Sequence, residues 1–235
     1  MLYKLRRPEY ASDRAAAMAN PVRLLQCAAV PSIRCERCGV WASSDRLATR
    51  VEQDSVGPFM ELVILDRAEW FRRLPEWERT LRIKPGMLTP GAEISYPRVE
   101  LRGRSQDFMF ASGGRVLVRE NIKRAIESNR LTGVRLCPVV QHGNPAAAGD
   151  ELWQLEVHGG AHTVSRDKCR VGCDLCGRPA PPSRGAVDIA TWTGHDFVVV
   201  DGNPNIIYVS DRAAEVLLNL GASNVVIDGL SGAGG

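Results

Sequence analysis

Cys35-Glu-Arg-Cys38-Gly39 and Cys173-Asp-Leu-Cys176-Gly177 are two copies of the pattern C-x-x-C-G, far apart in one chain. Two intervening residues let both sulfurs of a pair converge on one ion, and two such pairs complete the tetrahedral thiolate shell that zinc takes in structural sites. The glycine after each second cysteine can adopt positive φ, letting the chain turn tightly back beneath the metal. Four thiolates leave no open position for water, so the spacing predicts a Zn2+ site at Cys35, Cys38, Cys173 and Cys176 that stabilises the fold and does not catalyse. Such an ion closes a very large loop, so its loss should loosen much of the structure. The competing reading is a thioredoxin-like redox pair, but that uses a single C-x-x-C before a helix. Two pairs of identical form favour one zinc over redox chemistry and over two separate metal sites. Cys169, His158 or His162 could replace one ligand.

The chain has seven cysteines, an odd number that suits a reducing compartment and metal ligation better than a disulfide framework. Its basic start is followed only by a short apolar stretch at 15–19, too short for a signal-peptide core. No run approaches the roughly 18 apolar residues of a membrane span. We therefore expect a cytoplasmic protein. The 30 basic and 27 acidic residues are mixed along the chain, so the net charge of +3 lacks the excess expected of a nucleic-acid binder.

Mixed α and β structure is expected, with strands at 59–65, 152–157 and 197–200. Asp66 and Glu69 have capping-box spacing ahead of Trp70, Phe71 and Leu74, which predicts a helix start that Pro75 should kink or end. Pro85-Gly86 and Pro90-Gly91 mark a structured loop. An internal repeat runs through residues 107–139 and 196–230, each opening with Asp-Phe. Strands at 108–110 and 115–118, a helix at 120–129 and a strand at 134–140 match strands at 197–200 and 206–209, a helix capped by Ser210 and stopped by Gly221, and a strand at 225–228. Apolar faces correspond, with Ile122, Ala125 and Ile126 in one helix and Ala213, Val216, Leu217 and Leu220 in the other. The expectation is an α+β fold with two similar strand-strand-helix-strand units, one in each half (1–140 and 141–235) of a single zinc-linked body.

Nothing specifies an enzyme: there is no nucleophile elbow, phosphate-cradling loop or kinase signature. His158-Gly-Gly-Ala-His162 lacks the glutamate of a zincin motif and reads as a strand-end turn. A cysteine-dependent enzyme using Cys169 with either histidine lacks an orienting acid or oxyanion hole. Cys27 and Cys137, among apolar neighbours, read as small buried hydrophobes.

The Tyr3-Lys-Leu opening, both C-x-x-C-G motifs, the helix with Trp70 and Leu74, Pro85 to Gly91, the His158 to His162 turn and the terminal strand, helix, strand segment together resemble the double-CXXCG motif proteins. The resemblance covers most of the chain and implies an immunity protein, stabilised by zinc, that binds and neutralises a cognate bacterial toxin domain encoded by an adjacent gene. It implies no catalytic residues. Such complexes use aromatic anchors and charge complementarity, for which Glu69, Trp70, Glu76, Trp77 and Glu78 form one candidate surface. The alternative for those tryptophans is ordinary helix packing. The runner-up function is a zinc-ribbon-type nucleic-acid-binding protein using Arg34, Arg37, Arg46 and Arg50.

Overall fold

The chain divides into two units, and the division is discontinuous. The larger unit comprises Met1–Leu25, Arg98–Lys168 and Pro182–Gly235, and the smaller comprises Gln26–Pro97 and Cys169–Pro181. The boundaries therefore differ from the halves 1–140 and 141–235, and both repeat copies fall in the larger unit. The computed structural model describes residues 1–9, 22–25, 28–41, 63–86, 88–101, 105–111, 115–142, 151–163, 173, 175–176, 187–200 and 203–229. Among these, no helix is long and apolar enough to cross a membrane.

Strands in chain order are β1 Leu2–Arg6, β2 Val22–Leu24, β3 Ser32–Cys35, β4 Gly39–Trp41, β5 Ile64–Asp66, β6 Arg98–Leu101, β7 Phe108–Ala111 and β8 Arg115–Arg119. They continue as β9 Val134–Pro138, β10 Val140–His142, β11 Leu152–Val157, β12 Gly160–Thr163, β13 Val187–Asp188, β14 Phe197–Val200, β15 Asn203–Ser210 and β16 Val226–Gly229. The helices are α1 Arg67–Thr80, α2 Glu120–Ser128 and α3 Asp211–Asn219. The fold is α+β, as expected. The segment expected as one strand over 134–140 forms two, because Val139 lies between a ladder with β11 and a separate one with β6. Of the strand expected at 59–65, residues 59–62 lie outside the described residues.

In the smaller unit, β4-β3-β5 form a sheet against which α1 packs. Asp66 caps α1 as its spacing with Glu69 suggests, accepting from the Glu69 amide at 2.8 Å. The helix continues through Pro75 to Thr80. The apolar stripe against the sheet outweighs the one backbone hydrogen bond that proline forfeits.

In the larger unit the two copies have the same elements in the same order: β7, β8, α2, β9 and then β14, β15, α3, β16. Phe108 faces Val118 across one hairpin, and Phe197 faces Val209 across the other. Both helices end in the same reverse turn. Arg130 and Leu131 amides donate to Glu127 and Ile126 carbonyls, and Gly221 and Ala222 amides donate to Leu218 and Leu217 carbonyls. That turn needs a left-handed residue, supplied by Arg130 at φ 50° and Gly221 at φ 65°.

Each copy begins with an aspartate that grips the helix-to-strand loop of the other copy. Asp107 accepts from the amide and hydroxyl of Ser223, and Asp196 accepts from the amide and hydroxyl of Thr132. The backbone repeats the exchange, with Phe108 N–H donating to Ser223 O and Phe197 N–H to Thr132 O. Between the copies lies one shared core. Phe108, Val116, Val118, Ile122, Ile126 and Leu155 from the first side meet Phe197, Ile207, Val209, Ala213, Leu217 and Leu5 from the second. Two helix stripes that could not bury themselves alone thus bury one another.

Candidate metal centre

The first cysteine pair sits on a hairpin. Cys35 is the last residue of β3 and stands opposite Gly39, the first of β4, with Cys38 in the intervening turn. Gly39 has φ 72°, the left-handed conformation that returns the chain beneath the sulfurs at no steric cost. In the second pair, the amides of Cys176 and Leu175 point at the Cys173 sulfur. Gly177 and Cys169 lie outside the described residues.

All four sulfurs lie within 4.8 Å of one another. Cys35 Sγ and Cys173 Sγ, on cysteines 138 residues apart, are separated by 3.9 Å. That is far beyond a sulfur–sulfur bond of about 2.05 Å. It is close to the edge of about 3.8 Å of a tetrahedron with thiolates about 2.3 Å from its centre. The donor set therefore fits one metal ion held by four thiolates.

The chemistry of the thiols points the same way. The Cys173 thiol is drawn down to about 6, first by the Cys176 amide and then by hydrogen bonding to Cys38. The Cys38 thiol is pushed up to about 12, chiefly because its proton is held by the Cys173 sulfur. The two opposite shifts arise from hydrogen bonding between the two sulfurs. Four sulfurs packed this closely cannot all ionise unless a cation replaces the protons.

No protein-family model matches the chain, and no curated protein matches it.

Cys35 and Cys176 are buried, and the centre is built into the core of the smaller unit with Trp70, Trp77, Leu81, Ile33 and Ile94. Trp70 is 1% exposed and donates its indole N–H to the Pro31 carbonyl at 2.7 Å. Trp77 is 8% exposed and meets Trp70 edge to face, with ring centroids 5.8 Å apart. These tryptophans pack the core, so they do not form the exposed anchor surface that the helix suggested. Glu78 is buried as well and accepts from the Gly86 amide at 2.6 Å, bracing the Pro85-Gly86 turn. Glu69 is engaged by Arg72 and Arg73 on its own helix, which hold its carboxyl down at about 2. Of the five expected partner-facing residues, Glu76 is exposed.

The histidines belong to the larger unit and are not members of the cysteine cluster. His158 lies in the link between β11 and β12 and His162 lies within β12, and the His158 ring meets His195 edge to face at 6.0 Å. Gly159 is required between them, because a Cβ there would sit 2.1 Å from the Phe197 carbonyl oxygen. The motif is a close-packed strand-end turn. Cys137 is buried, as its apolar neighbours suggested, and Cys27 lies outside the described residues. The bracing role of Glu78 had no signal in the sequence, since it depends on where the Pro85-Gly86 turn comes to rest.

Proposed function

We propose that this chain is a zinc-stabilised immunity protein that binds and neutralises a cognate bacterial toxin domain encoded beside it. The observation that carries the reading is the convergence of both C-x-x-C-G motifs on one four-sulfur cluster. It makes the paired motif a single centre in this chain, which supports the zinc stabilisation that the resemblance to the double-CXXCG proteins implies. Zinc suits four converging thiolates, and a closed thiolate shell supports a structural ion in a binding protein, not an enzyme. A reducing compartment such as the cytoplasm is where such thiolates persist.

The reading is tested by expressing the product of the adjacent open reading frame in a sensitive host, with and without this chain. Growth rescue with a stable complex of the two proteins is the expected result. A harmless neighbour, or toxicity that this chain does not relieve, contradicts it. Salt-dependent binding to random duplex DNA would instead favour a nucleic-acid role for exposed Arg34 and Arg37 beside the first cysteine pair.

A further inference from the structure

We infer that the groove between β15 and β16 is a strand-accepting site, and that its occupant β1 is the displaced fifth element of the second repeat copy. The larger unit then contains two equivalent five-element modules, the second permuted so that its fifth strand precedes its other four elements.

The strand orders carry the inference. The first copy is arranged β7-β8-β11-β9 and the second β14-β15-β1-β16. In each, the inserted strand is antiparallel to both neighbours. The registers agree residue by residue. Trp153 faces Val118 on one side and Pro138 on the other, while Tyr3 faces Val209 and Gly229. Val118 and Val209 are themselves equivalent, since they face Phe108 and Phe197.

Side-chain chemistry follows the register. Trp153 donates its indole N–H to Glu120 Oε2 at 2.7 Å, and Tyr3 donates its hydroxyl to Asp211 Oδ1 at 3.0 Å. Glu120 and Asp211 are the first residues of α2 and α3. Leu155 and Leu5 enter the shared core, while Leu152 and Leu2 turn to the outer faces, one beside Met109 and Leu117 and the other beside Val198 and Tyr208. The groove thus selects an extended segment with leucines three residues apart and, after the first, an aromatic carrying a hydrogen-bond donor. A two-residue period alone would not specify this.

A circular permutant tests the inference. Joining residue 235 to residue 1 and opening the chain between Glu9 and Tyr10 makes β1 follow β16 in the chain, as β11 follows β9 across the connection that carries β10. A second permutant adds a short Gly-Ser linker at the joint. Metal content of the smaller unit reports independently on the quality of each preparation. We expect at least one permutant to melt cooperatively within about 4 °C of the natural chain. Loss of the cooperative melt in both, with metal retained, overturns the inference. In the natural order, Tyr3→Trp should stay within about 4 °C of the parent, whereas Tyr3→Ala should fall by about 4–8 °C. A Tyr3→Trp protein as unstable as Tyr3→Ala would also overturn it.

Discussion

Asp107 accepts two hydrogen bonds from Ser223, one from its amide and one from its hydroxyl, both at 2.8 Å. Asp196 does the same to Thr132 at 2.8 and 3.1 Å. The exchange makes each copy of the repeat depend on the other. A double-mutant cycle between Asp107→Asn and Ser223→Ala should show a coupling of about 1–2 kcal/mol, with similar coupling for Asp196→Asn and Thr132→Val. Crossing Asp107→Asn with Thr132→Val should leave less than about 0.5 kcal/mol. Urea denaturation of the variants measures all three.

The helix-stop turn predicts a stabilising change. Arg130 holds the left-handed conformation at φ 50° that Gly221 holds at φ 65° in the other copy. Arg130→Gly should raise stability by about 0.5–1 kcal/mol, because the cost of a left-handed L-residue exceeds the entropy a glycine adds. Gly221→Ala should lower it by about 1 kcal/mol, and paired thermal melts would show opposite shifts.

Acid should weaken the Asp107 clasp in a defined window. Burial works to raise this carboxyl, but hydrogen bonds from the Ser223 amide, Asn121 and the Ser223 hydroxyl, with the Arg119 charge, carry its pKa below the ordinary aspartate value. A depressed pKa contributes stability that is complete above the unfolded value near 4 and is lost as pH falls through the folded one. The stability gap between the natural chain and Asp107→Asn should therefore stay constant from about pH 7 to 5 and close below about pH 4. Taking the difference at each pH cancels acid loss of metal, which both proteins share.

Glu78 should prove structural. Its side chain is buried and accepts from the Gly86 amide at 2.6 Å, so Glu78→Ala should cost about 0.5–1.5 kcal/mol through loss of that hydrogen bond. Calorimetric melting checks the loss. Glu76→Ala, at an exposed position on the same helix, should stay within about 0.5 kcal/mol.

The features legible in the sequence are those written locally. The spacing of Cys35, Cys38, Cys173 and Cys176 announced their convergence, and Asp66, Ser210 and Gly221 marked helix ends through capping chemistry that involves only near neighbours. The repeat was visible for the same reason, because its hairpins and helices are contiguous. What escaped depends on contacts between remote segments. The Asp-Phe openings were evident as a repeat, but that each aspartate grips the opposite copy follows only once both loops are in place. Nothing near Tyr3 in the sequence marks its place between Val209 and Gly229. The sequence leaves open whether Trp70 and Trp77 anchor a partner or pack the core, because one helix cannot say which side a sheet will cover.

The most direct test of the account is the zinc content of the chain purified under reducing conditions, measured beside Cys35→Ser and Cys176→Ser variants. We predict one tightly held zinc per natural chain and substoichiometric zinc in both variants. Each variant should lose several kcal/mol of stability, with altered fluorescence from Trp70 and Trp77, which share the core of the centre. A natural chain free of metal, or variants that keep a full equivalent, would contradict the four-cysteine centre on which the account rests.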